Sequence, residues 1–149
     1  MEKDFIPYDR ALRMKALGFD EPCLAFYNGK HLDLGVWDWE YPAGDKRRNI
    51  GQCPSAPTFS AAFRWFREKY KLHSVASFDK FIDEDNDVEL DDPYFTYYYS
   101  INELWDNTKD YNKFVRGFMN VASSRDFMSQ EEAELACLDK LLKIVESKL

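Results

Sequence analysis

The stretch Ser55-Ala-Pro-Thr-Phe-Ser-Ala-Ala-Phe-Arg-Trp-Phe-Arg-Glu-Lys-Tyr-Lys-Leu-His73 decides how the rest of the chain is read. Phe59, Ala62, Phe63, Phe66 and Tyr70 recur at the spacing of one helix face, while Arg64, Arg67, Glu68, Lys69 and Lys71 fall mostly on the other. Ser55 is a good N-cap residue, and Pro57 just inside the start loses no hydrogen bond there. The spacing predicts an amphipathic helix over 55–70 that packs its aromatic face into a core. His73 is then expected at the helix end, where a protonated imidazole suits the dipole.

Working back from that helix, Pro42-Ala43-Gly44-Asp45 reads as a loop and Lys46-Arg47-Arg48 as the one run of three basic residues. Cys23 to Tyr27 reads as a strand, and Asn28-Gly29 is a strong hairpin signal, so a return strand is expected from Lys30 to Tyr41. On that strand Leu32, Leu34 and Val36 share one parity, and Trp37, Trp39 and Tyr41 the other. The switch at Gly35-Val36 predicts a bulge. Nearer the N-terminus, a short helix follows Pro7, with Ala11, Leu12 and Leu17 along one side. Gly18 should stop it, and Phe19 should pack back over its last turn.

Working forward, Val75 to Ile82 fits either a strand or a short helix. Asp83 to Asp92 holds seven carboxylates in ten residues and must be solvated. Phe95, Tyr97, Tyr99 and Ile101 alternate as one face of a strand over 94–101. A polar connection is expected over 102–110, with a helical turn at Glu103-Leu104-Trp105. A short helix is expected around Tyr111, Phe114, Val115 and Phe118. Ser129-Gln-Glu-Glu132 is a capping box, and Leu135, Leu138, Leu142, Val145 and Leu149 form the stripe of a final helix.

The chain of 149 residues has 45% hydrophobic and 32% charged residues, ordinary for a globular domain, and a net charge of −7. We expect one compact α+β domain over 1–149. Its antiparallel sheet of three or four strands, with 23–27, 30–41 and 94–101 among them, carries the helices at 55–70 and 129–148 on one face. No apolar run reaches the ~20 residues that span a bilayer, and Met1 to Phe5 has no apolar leader, so a cytoplasmic protein without a membrane partner is expected. Cys23, Cys53 and Cys137 are odd in number and far apart, which argues against a disulfide framework or a structural zinc site. The acidic balance argues against nucleic acid as the partner.

Two surfaces are candidates for binding. Trp37, Trp39 and Tyr41 with Lys46, Arg47 and Arg48 have the composition of a base-stacking platform beside phosphate contacts. The same aromatics also suit a sheet face packed under a helix, which is the reading preferred here, or a protein interface. The acidic surface is Asp83, Glu84, Asp85, Asp87, Glu89, Asp91 and Asp92. It begins like a calcium loop, but Val88 and Tyr94 stand where an EF-hand requires Gly and Glu. It also has the charge of a DNA mimic, though confined to one cluster. Only His31 and His73 offer an imidazole base, and no phosphate loop, His-Glu metal pair or serine elbow is present. Cys23 and Cys137 lie among apolar residues and read as core. No catalytic residue, metal ligand or cofactor is assigned.

Three segments together carry a resemblance: Phe-Ile-Pro-Tyr at 5–8 with Leu-Gly-Phe-Asp-Glu-Pro-Cys at 17–23; Ala-Phe-Arg-Trp-Phe-Arg-Glu-Lys-Tyr at 62–70 with Leu72-His73; and Glu-Glu-Ala-Glu-Leu-Ala-Cys-Leu at 131–138. In that order they resemble an uncharacterised family of small proteins encoded by phages and prophages of gut Bacteroidetes. Residues 28–53 and 74–127 lie outside the resemblance. It implies a phage or prophage origin and no catalytic residue. The function expected is a non-catalytic accessory protein that binds a host or phage macromolecule, a protein rather than nucleic acid, in the bacterial cytoplasm. The rival expectation is an inhibitor of host defence acting through the acidic surface, and the third an enzyme of unknown class.

Overall fold

A computed structural model describes residues 2–34, 53–80, 95–106 and 116–148. Its elements run α1 (Tyr8–Ala16), β1 (Ala25–Asn28), β2 (His31–Leu34), α2 (Phe59–Tyr70), β3 (Leu72–Lys80), β4 (Phe95–Asp106), β5 (Arg116–Phe127) and α3 (Gln130–Glu146). The chain is α+β, and the described residues form two sheets, both antiparallel. It divides into two compact units, residues 1–65 and 66–149, and the division falls inside α2.

In the first unit, α1 ends as its sequence predicts. Gly18 adopts φ +84, its N–H donates to the Lys15 carbonyl at 2.9 Å, and the Phe19 N–H donates to the Met14 carbonyl at 3.0 Å. This is a Schellman stop, which a residue with a Cβ would strain. Phe19 is buried with its ring 5.4 Å from that of Trp65. The buried side of α1 is Ala11 and Met14, continued by Leu17, while Leu12 is 40% exposed. Leu12 follows Ala11 by one residue, which turns it about 100° away around the helix.

The hairpin forms, shifted by one residue. Asn28 pairs with His31, so the turn is Gly29-Lys30 and β2 begins at His31 rather than Lys30. Positive φ occurs at Gly29 (+63) and not at Lys30, as in a type II′ turn. The outer side of β1 is taken by the segment before α2. The Tyr27 N–H donates to the Pro54 carbonyl, the Ala56 N–H to the Ala25 carbonyl, and the Ile6 N–H to the Pro57 carbonyl, all at 2.9–3.0 Å. The Tyr27 hydroxyl then donates to the Ile6 carbonyl at 2.7 Å. Residues 54–58 thus lie between the N-terminal segment and β1. That use of their backbone is why α2 starts at Phe59 and not at Ser55. Thr58 is the cap: its Oγ1 accepts from the Ala61 N–H at 3.3 Å.

The second unit is a three-stranded sheet in the order β3-β4-β5, with α3 packed on all three strands. The segment over 75–82, left open between strand and helix, is strand through Lys80. The polar connection expected at 102–110 is strand as far as Asp106, and 116–118, expected in a helix, belong to β5. The aromatic spacing there is too short to separate the two periods, and Gly117 and Asn120 are poor helix formers. His73 lies in β3 rather than at the end of α2. Among the described residues, the strands expected in one sheet fall into two, since β1 pairs with β2 while β4 pairs with β3 and β5.

The helix α3 starts at the capping box. The Ser129 hydroxyl accepts from the Glu132 N–H at 3.2 Å, and the Glu132 carboxylate accepts from the Met128 N–H at 2.9 Å. Its buried stripe is Ala133, Cys137, Leu138, Leu141, Leu142 and Val145.

Candidate functional site

Alternation along the strands sorts the second unit into two faces. Leu72, Ser74 and Ala76 of β3 pair with Glu103, Ile101 and Tyr99 of β4. These point toward α3: Leu72 and Ile101 are fully buried, and Lys148, just past the end of α3, reaches the Glu103 carboxylate at 3.1 Å. The Gln130 side chain donates to the Ala76 carbonyl at 3.1 Å, which ties the start of α3 to β3. The other face carries His73, Val75 and Ser77 opposite Asn102, Ser100 and Tyr98, extended onto β5 by Asn120 and Ser123. The β4–β5 ladder has two irregularities, at Tyr97/Tyr99 and at Ile101/Asn102; Asp126, at φ +72, lies in the first. The Arg125 guanidinium lies 5.7 Å from the centre of the Tyr98 ring.

A sheet with one face under a helix and the other in water is expected to carry small polar residues on its wet face. Most of this face fits that description. Among the residues just named, Tyr98 beneath Arg125 and Val75 at 49% exposed exceed it. Among the residues named, this face offers hydroxyls, amides, the His73 imidazole, the Arg125 guanidinium and the Tyr98 ring. Such a surface hydrogen-bonds and stacks.

The residues with nucleophilic chemistry are arranged otherwise. Burial pushes the Cys137 thiol up to about 12, reinforced by the Glu134 carboxylate and only partly offset by the Ser74 hydroxyl. The Ser74 Oγ is itself buried, with no hydrogen bond of ordinary geometry. Burial likewise raises the Tyr99 phenol above its usual range. Cys23 is pushed up to about 11 by burial and by Glu21, with Arg64 opposing. Arg64 holds the Glu21 carboxylate at 2.8 Å. A thiol raised this far carries little thiolate at neutral pH, so neither cysteine is an activated nucleophile. Cys137 is core as its sequence setting suggests, whereas Cys23 is only half-buried. His31 is exposed, with its Nε2 3.6 Å from Asp33.

The surfaces proposed from sequence, Trp37, Trp39, Tyr41 and Lys46-Arg47-Arg48, and the acidic run from Asp83 to Asp92, lie outside the described residues, as does the expected bulge at Gly35-Val36. Among the described residues no group of three or more His, Cys, Asp or Glu is placed to hold a metal ion, and no helix is long and apolar enough to cross a membrane. Tyr98 and Arg125 were not singled out by sequence. The signal present was the even-numbered parity of 96–102, complementary to Phe95, Tyr97, Tyr99 and Ile101. Compared with family models, with curated proteins and with solved structures, the chain matches none of them.

Proposed function

We propose that this chain is a non-catalytic accessory protein of a phage or prophage that binds a host or phage protein in the bacterial cytoplasm. The observation that supports the reading is the sheet face turned away from α3, where Tyr98 lies under Arg125 beside exposed Val75. Tyr and Arg are, with Trp, the residue types enriched among those that carry binding energy at protein interfaces. The phage origin rests on the three sequence segments described above. The finer architecture, a compact arrangement with both long helices on one sheet face, is part of the proposal, and the packing of α3 on β3, β4 and β5 supports it for one helix.

The test is photo-crosslinking in host cells from p-benzoylphenylalanine placed at Ser123. The reading expects one dominant protein adduct, lost in Tyr98→Ala and in Arg125→Ala when both variants melt like the parent. Absence of an adduct above background, or one indifferent to both substitutions, overturns it. A second reading has a sequence feature behind it: the seven carboxylates of 83–92 suit an inhibitor of a DNA-reading host enzyme. That reading expects capture of a nuclease or similar enzyme, competition by duplex DNA, and loss of binding when Asp83, Asp85 and Asp87 become Asn.

A further inference from the structure

We draw no further inference here: the strongest candidate, the apolar patch on the β3–β4–β5 sheet formed by exposed Phe78 with Tyr97 and Phe127 and followed in the chain by exposed Met128, is a surface for which nothing in the structure shows what covers it.

Discussion

Phe63 and Phe66 stand three residues apart on α2, yet only Phe66 is fully buried, while Phe63 is half-exposed with its ring 6.1 Å from that of Phe59. Truncating a buried aromatic loses its transfer energy and leaves a cavity, so Phe66→Ala is expected to cost about 3–5 kcal/mol in urea unfolding. Phe63→Ala is expected to cost distinctly less; equal losses would mean that the burial assigned to these two positions is wrong. The thiols give a second prediction. In the folded chain Cys137 is raised from 9.0 to about 12 and Cys23 from 9.0 to about 11. Above pH 9 the unfolded chain releases protons that the folded chain still holds, so stability falls as pH rises. That contribution is fully present below pH 9 and is lost between about 9 and 12. Urea midpoints at pH 8 and pH 10.5 should show the fall, and Cys23→Ser should make it shallower. An unchanged slope in that variant would remove Cys23 from the explanation. At this scale the sequence made the aromatic face of α2 legible. It did not rank Phe63 against Phe66, nor reveal Trp65, which is only 4% exposed, because a 3.6-residue period gives the direction of a face but not its width.

The joint between α2 and β3 is one residue long, since α2 ends at Tyr70 and β3 begins at Leu72. Lys71 makes the turn with φ +59, a conformation that an L side chain enters at a cost, and its Nζ donates to the Glu68 carbonyl at 3.1 Å. Glycine relieves the strain but adds freedom to the unfolded chain and removes that bond. The net gain expected for Lys71→Gly is a few tenths to about 1 kcal/mol. Lys71→Val, β-branched in the same conformation, should lower the thermal midpoint. If Val is tolerated as well as Gly, the left-handed turn is absent in solution. Gly18, Gly29 and Ser129 announce their turns and cap in the sequence, because each supplies a conformation or a hydrogen bond that few residue types can. Lys71 announces nothing. It is driven into the turn by the helix and strand on either side, which are held by their own packing.

Across the whole molecule the chain carries a net charge of −7, with three consecutive basic residues at 46–48 against seven carboxylates within 83–92 of the sequence. Long-range repulsion of phosphate should therefore dominate, so binding of a fluorescent single-stranded oligonucleotide is expected to be weaker than about 10 µM at physiological salt. Salt-sensitive nanomolar binding that disappears in Trp39→Ala would reverse the expectation and move the protein among nucleic-acid binders. By itself the sequence determined the α+β class, the two long helices, the Schellman stop of α1, the hairpin and the capping box of α3. These follow from interactions within a few residues, where residue type alone fixes the backbone. Only the tertiary structure decided that 102–106 and 116–127 are strands and that β3, β4 and β5 form a sheet of their own. It alone withdrew 55–57 from α2 to lie beside β1, and brought Tyr98 under Arg125. Each of these depends on hydrogen bonds or contacts between segments far apart in the chain. The energy of such pairing outweighs the weak local preference that a sequence displays.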